Sequence, residues 1–234
     1  MWNNPDALNR LSGLILLAIV LFTVWLGGRA LLDARFPFRA VKVMGAEHAE
    51  TRQAARTLVP GLVGGFFSMN LTSVRASFER LPWVRHADVR RQWPGRLEVA
   101  LEEHRPAAAW NDRATLNVQG EIFPVEPAAN LPRFYAPEGM EREVAKQYGQ
   151  FAAIVAPLGV RIEQMVISRR MSWRVRLSNG TSVVLGRERL AERFDRFVRF
   201  YPQASTALSG ITRADMRYPN GFAAHGEEQR KQPS

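Results

Sequence analysis

The sequence predicts an α+β protein: one amino-terminal transmembrane helix, a β-α-α-β-β module, and a second mixed α/β module with an antiparallel sheet. Three observations carry that prediction. Residues 11–28 contain no charged side chain, residues 38–103 alternate strand and helix periodicities, and residues 106–222 return to short strands around two amphipathic helices. A chain of 234 residues with 46% apolar composition suits one large or two small domains, which excludes disorder as its main theme. The absence of cysteine removes disulfides, thiolate metal sites and cysteine nucleophiles. A net charge of +10 invites a nucleic-acid partner, but the basic residues are dispersed over both halves. No nucleic acid is expected.

The uncharged run LSGLILLAIVLFTVWLGG, residues 11–28, would reach about 27 Å as a helix, just enough to cross a bilayer. A cleaved signal peptide is the main competitor, but its apolar region is usually shorter, and Gly28-Arg29-Ala30-Leu31-Leu32 offers no small-x-small cleavage site. A buried core helix would show a polar face at helical period, and none interrupts the run. Trp25 fits an interfacial anchor. Orientation is left open by charge: Arg10 precedes the span, whereas Arg29, Arg35, Arg39 and Lys42 follow it, and the positive-inside rule weakens for long translocated domains.

In the first module, Phe38 to Met44 reads as a strand through Phe38, Val41 and Val43, stopping at Gly45. Ala49 to Val59 is helical and is ended by Pro60-Gly61. After a Gly64-Gly65 turn, Thr72 opens a second helix with Val74, Phe78 and Leu81 at helical spacing, closed by Pro82. Val84 to Trp93 and the alternation Leu97, Val99, Leu101 form a hairpin about Pro94-Gly95, where proline presets φ and glycine takes the positive value. Val89 and Trp93 fall on one side of the first strand. Trp83, Trp93 and Trp173 each sit in or beside an apolar alternation and are expected in cores.

Arg105-Pro106 breaks the strand, and short strand pieces follow around Ala109-Trp110, Leu116 to Val118 and Ile122-Phe123, with Gly120 as a turn. Pro124 to Gly139 reads as irregular chain. A helix spans about Val144 to Val155, with Val144, Tyr148, Phe151, Ala152 and Val155 on one stripe, and Pro157 ends it. Ile162 to Ser168 and Trp173 to Leu177 are strands, and Asn179-Gly180 is the pair that a turn with two positive φ values requires before Val183 and Leu185. Leu190, Phe194, Phe197, Val198 and Tyr201 define a helix ending at Pro202. Its other face, Arg189, Arg193, Arg196 and Arg199, reads as solvated, less often as a site for acidic partners or anionic headgroups. A last strand from Ile211 to Tyr218 stops at Pro219-Asn220-Gly221, and the polar tail is expected to be disordered.

Nothing in the pattern points to an enzyme. His48, His86, His104 and His225 are scattered without metal-ligand spacing, and Glu102-Glu103-His104 reads as a hydrated strand end because neighbouring strand residues face opposite sides. There is no Gly-x-Ser-x-Gly motif and no phosphate loop. No catalytic residue, metal or cofactor is expected.

One set of residues carries a family resemblance. Leu81-Pro82-Trp83-Val84, Ala87, Val89, Arg91, Trp93-Pro94, Leu97, Val99, Glu103, Pro106, Ala108 and Trp110-Asn111 form its central run, continued by Leu116 to Phe123, Ser172-Trp173, Gly186-Arg187, the Arg193 to Pro202 helix, and Asp215, Arg217 and Tyr218. In that order they are similar to the FtsQ/DivIB family of bacterial cell division proteins, over residues 10–222. The resemblance implies a cytoplasmic tail over 1–10, a transmembrane helix over 11–28, a POTRA domain over 36–105, a β-domain over 106–222 and a disordered tail over 223–234. The ten-residue tail is shorter than many members carry, which implies either a misassigned start codon or minimal cytoplasmic contacts.

The resemblance further implies an essential, non-catalytic divisome protein of the inner membrane at the division septum, with a cytoplasmic amino terminus and a periplasmic carboxy-terminal domain. Its implied partners are FtsB and FtsL in one subcomplex, with FtsK and the septal peptidoglycan synthase components FtsW and FtsI on either side. The implied FtsB site is the edge of the strand ending at Met216-Arg217-Tyr218, with Asn220 and Gly221 after it, and Arg170 or Arg169 pairing with a partner carboxylate. Without the resemblance, Tyr218 would read as an ordinary sheet aromatic and Arg170 as a solvated loop charge. A POTRA-type chaperone or assembly module of envelope protein transport is the alternative, although such proteins carry repeated POTRA units and an outer-membrane barrel.

Overall fold

The computed structural model describes residues 5–35, 40–62, 65–207, 210–218, 221 and 223–226. Phe38, Gly64, Pro219, Asn220 and residues 227–234, about which expectations were stated, lie outside them. The first element, α1 (Pro5–Arg35), is longer than the uncharged run that predicted it. Within it, Asn9–Gly28 is apolar enough to cross a membrane, and its 20 residues rise about 30 Å, a bilayer core thickness. None of that segment is buried against protein, and Leu14 and Val24 are 64% and 68% exposed. The Thr23 hydroxyl donates to the Ile19 and Val20 carbonyls, which satisfies a polar group inside the apolar run.

The chain falls into two compact units, with the division after Glu103 and α1 counted in the first. In the first, β1 (Ala40–Met44), α2 (Ala49–Leu58), α3 (Leu71–Glu79), β2 (Val84–Gln92) and β3 (Arg96–Glu103) follow in the expected order. The sheet order is β1-β3-β2, with β1 parallel and β2 antiparallel to β3. The helices cover one face, burying Ala55, Val74 and Phe78 against Val89, Leu97 and Val99. The second helix opens at Leu71, because the Asn70 side chain caps it by accepting from the Thr72 and Ser73 amides. On the other face, Glu98 is nearly buried and is paired across both neighbouring strands, with Arg90 Nε at 3.0 Å and Lys42 Nζ at 4.0 Å.

Two of the tryptophans expected in cores are elsewhere. Trp93 is 61% exposed, because β2 stops at Gln92 and carries it past the cover of the helices. Trp83 is half-buried: its ring stacks on His48 with centroids 3.8 Å apart, and its indole donates to Glu50. Of these three, Trp173 alone is a core residue. The strand end at Glu103 is not hydrated either. Its carboxylate is buried and accepts from the His48 amide at 3.1 Å and from the His48 ring, tying β3 to the start of α2. Burial works to raise the Glu103 carboxyl, and the hydrogen bonds it accepts at the start of α2 outweigh that and hold it below the ordinary range.

The second unit carries β4 (Pro106–Trp110), β5 (Ala114–Asn117), β6 (Ile122–Phe123), β7 (Arg133–Tyr135), α4 (Glu141–Val155), β8 (Ile162–Ile167), β9 (Trp173–Leu177), β10 (Ser182–Gly186), α5 (Leu190–Ala207), β11 (Arg213–Asp215) and β12 (Ala223–His225). They form one nine-stranded sheet, β12-β11-β10-β9-β8-β7-β4-β5-β6. The pairs β4–β7, β7–β8 and β10–β11 are parallel and the others antiparallel. Phe151 from α4 and Phe194 and Phe197 from α5 pack on Met165, Trp173, Val175 and Leu185 to make the core.

Several expectations are corrected here. The segment 124–139 is not all irregular, since β7 lies within it between two parallel neighbours. Asn179 does not take a positive φ: Gly180 alone does, with its amide bonded to Leu177 and the Leu177 amide bonded to Thr181, a three-residue loop with a glycine bulge. Pro202 lies inside α5 instead of ending it, and the cost of about 3 kcal/mol for an interior proline is offset by continued packing of Tyr201 and Ala204 on the core. Arg193 is not on a solvated face but is buried, donating to the Leu185 carbonyl at 2.6 Å. The last strand stops at Asp215, and a short further strand, β12, stands where disorder was expected.

Candidate functional site

The residues expected at a partner site converge on one end of the nine-stranded sheet, and the register shows why. Ile167 of β8 is level with Trp173 of β9, Trp173 with Gly186 of β10, Val184 with Asp215 of β11, and Asp215 with Ala223 of β12. The turn between β8 and β9, the exit of β10 and the segment after β11 therefore share an end. Two strand spacings separate β9 from β11, about 10 Å, so one extended peptide can reach both.

Arg169 and Arg170 form the exposed tip of the β8–β9 turn, and neither has an ion-pair partner among the described residues. The turn is closed by the Met171 amide on the Ser168 carbonyl and by the Ser168 amide on the Ser172 carbonyl, which forces Met171 to φ 60°. That is the position Gly180 occupies in the following turn, and a side chain there is strained. After β11, Tyr218 is 55% exposed and outside any strand, so it is not a half-buried sheet aromatic. Met216 points the other way. It is fully buried in the core, and its amide bonds the Val184 carbonyl, so it supports the site from beneath. Gly221, two positions ahead of Ala223, is half-buried, and Asn220 lies outside the described residues.

Arg217 is committed to its own chain. Its Nε meets both Asp215 oxygens at 2.9 and 3.0 Å and its Nη2 meets one at 2.6 Å. Those bonds hold the Asp215 carboxyl below its ordinary range against the opposing effect of burial, and hold the Arg217 guanidinium above its own. The side chain lies over Gly186, whose φ is +82°. A Cβ there would come within 2.8 Å of Arg193 Nη1 and 3.2 Å of Arg217 Cγ, so glycine lets both arginines close over the end of β10.

The sequence reading missed what covers β11. Its edge is paired with β12, through Arg213–His225, Ala214–Ala224 and Asp215–Ala223, so among the described residues β12 is the terminal strand at this side of the sheet. The turn signal Pro219-Asn220-Gly221, read as a stop, was the available sign that the chain folds back. Among the described residues, no three His, Asp or Glu side chains gather as a metal site would require.

An apolar helix that can span a bilayer, a β-α-α-β-β module and a long sheet ending on a short strand define a membrane-anchored protein of folded modules. The description "POTRA domain, FtsQ-type" matches residues 36–104, and "Cell division protein FtsQ/DivIB, C-terminal" matches residues 108–217. The chain is 41% identical to cell division protein FtsQ of Burkholderia pseudomallei, covering 95% of this chain and 93% of that protein. It is 38% identical to FtsQ of Nitrosospira multiformis, over 97% and 99%, and 33% identical to FtsQ of Escherichia coli, over 92% and 83%. The chain belongs to the FtsQ/DivIB family of cell division proteins.

Proposed function

We propose that the protein is a non-catalytic scaffold of the division septum that binds FtsB, and with it FtsL, by taking an extended FtsB segment onto the edge of β12. In this reading α1 crosses the inner membrane with the amino terminus in the cytoplasm, both folded units are periplasmic, and the complex connects FtsK to FtsW and FtsI. The observation that carries it is β12 itself. Among the described residues it is the last strand in the sheet order, and it carries no formal charge, so its outer backbone groups are a template for a further strand.

The side chains at the same end give such a segment its register. Arg169 and Arg170 are exposed forks suited to a carboxylate, and Tyr218 supplies an exposed aromatic contact. Tyr218→Ala should weaken FtsB binding in a pull-down by about 1–2 kcal/mol while leaving the fold intact, since it removes a surface aromatic and no core contact. Unchanged affinity would count against the site. Replacing Arg170 by Glu should cost more than replacing it by Ala, because repulsion is added to the lost pair, and the same comparison at Arg169 identifies which arginine makes the contact. Equal effects of Ala and Glu at both positions would leave them only a structural role.

A further inference from the structure

We propose that the tip of the POTRA hairpin is a membrane-docking surface, where Phe67 and Trp93, flanked by Arg91 and Arg96, rest in the headgroup layer of the bilayer that α1 spans. The inference rests on the reading of α1 as a membrane span. Phe67 and Trp93 are 51% and 61% exposed, and both are set edge-on to the buried Phe66, with centroids 5.1 and 5.9 Å away. Arg91 fixes this arrangement by donating to the Phe66 and Met69 carbonyls, each at 2.6 Å, which leaves its charge unneutralised. The aromatics are therefore held outward on an ordered platform.

Chain connectivity says which surface they face. Ala40, the first residue of β1, is level with Arg96, the first residue of β3, so the chain enters this unit at the hairpin tip. Four residues separate Ala40 from Arg35, the end of α1, and five Cα steps reach at most about 18 Å. The opposite end of β3 lies about 25 Å further on. That far end carries Glu47, Glu50, Glu79, Glu102 and Glu103, whereas no carboxylate occurs in residues 62–70 or 89–97 around the tip. The nearest one, Glu98, is already shared by Arg90 and Lys42. Exposed aromatic rings beside unneutralised arginines, at the end tethered closest to the helix, match the chemistry of an anionic headgroup interface. Docking there would fix the tilt of the POTRA unit on the membrane.

The absence of cysteine makes the test direct. The full chain, carrying Gln92→Cys at the tip or Glu47→Cys at the far end, is labelled with a nitroxide and reconstituted into vesicles of phosphatidylethanolamine and phosphatidylglycerol. Collision of the label with oxygen, which partitions into lipid, is compared with collision with a water-soluble nickel chelate. The expected result is a higher oxygen-to-nickel ratio at position 92 than at position 47, lost when Phe67→Ser and Trp93→Ser are combined with Gln92→Cys. A ratio at 92 equal to that at 47 would overturn the proposal, as would one that survives the double substitution, since the tether alone would then explain it. Shielding of position 92 from both reagents, as a protein contact produces, would overturn it too. A chain that fails to float with the vesicles would refute the membrane span itself, whereas one that floats with a water-exposed tip refutes only the docking.

Discussion

Two edge strands, β2 of the first sheet and β12 of the second, are built in opposite ways. In the POTRA unit the edge strand β2 runs for nine residues, carries Arg85, His86, Asp88 and Arg90, and breaks register between Val84 and His86. Charge and a bulge are the usual means of keeping an edge from pairing with another chain. In the β-domain the last strand, Ala223-Ala224-His225, has neither charge nor bulge, and only its shortness limits pairing. The difference favours β12 over β2 as the edge for the strand addition proposed above.

The comparison is broken most severely at glycine. Gly45 and Gly120 both take positive φ, and a Cβ at either would collide with backbone, at Leu101 and at Arg142 respectively. Gly45→Val and Gly120→Val should each destabilise by about 3 kcal/mol or more. In thermal unfolding of the full chain, the first should lower only the transition of the POTRA unit and the second only that of the β-domain. A common shift would show that the two units unfold together.

A smaller effect sharpens the view of the β8–β9 turn. Met171 holds a left-handed conformation without being glycine, so Met171→Gly should stabilise the β-domain by about 1 kcal/mol in denaturant unfolding. A loss of stability would mean that contacts of the Met171 side chain outweigh its backbone strain. Smallest is the effect of the Arg217–Asp215 clasp, which lies near the surface where solvent screening weakens an ion pair. Because the folded Asp215 carboxyl lies below its unfolded value, the clasp contributes fully above the ordinary carboxylate range, near pH 4, and is lost as pH falls through the lower folded value. Asp215→Asn should flatten that part of the acid limb, and an unchanged pH profile would assign the acid sensitivity elsewhere.

Legibility in the sequence followed the locality of contacts. The β2–β3 hairpin, the helices of the POTRA unit and the β8–β9–β10 meander were readable because each is made by neighbours in sequence with turn residues between them. The missed strand β7 is three residues paired in parallel with β4 and β8, which leaves no alternation and no adjacent turn to read. Ala223-Ala224-His225 likewise offers no hydrophobic pattern, and only its pairing with β11 makes it a strand. Arg193 was misplaced because periodicity treats arginine as solvent-facing, whereas the space left by Gly186 lets this one reach the Leu185 carbonyl. Trp93 was misplaced for the converse reason, since it keeps the apolar side of β2 but overruns the helices that would cover it. At the candidate site, Arg169, Arg170 and Tyr218 were named from a resemblance, while the edge strand beside them emerged only from the fold.

The most direct test is hydrogen–deuterium exchange of the full chain with and without the periplasmic segment of FtsB. Strand addition to β12 predicts that slowed exchange on binding is centred on residues 221–226 and extends to the β8–β9 turn. Protection centred on the opposite edge at β6, or on the POTRA unit with β12 unchanged, would contradict it.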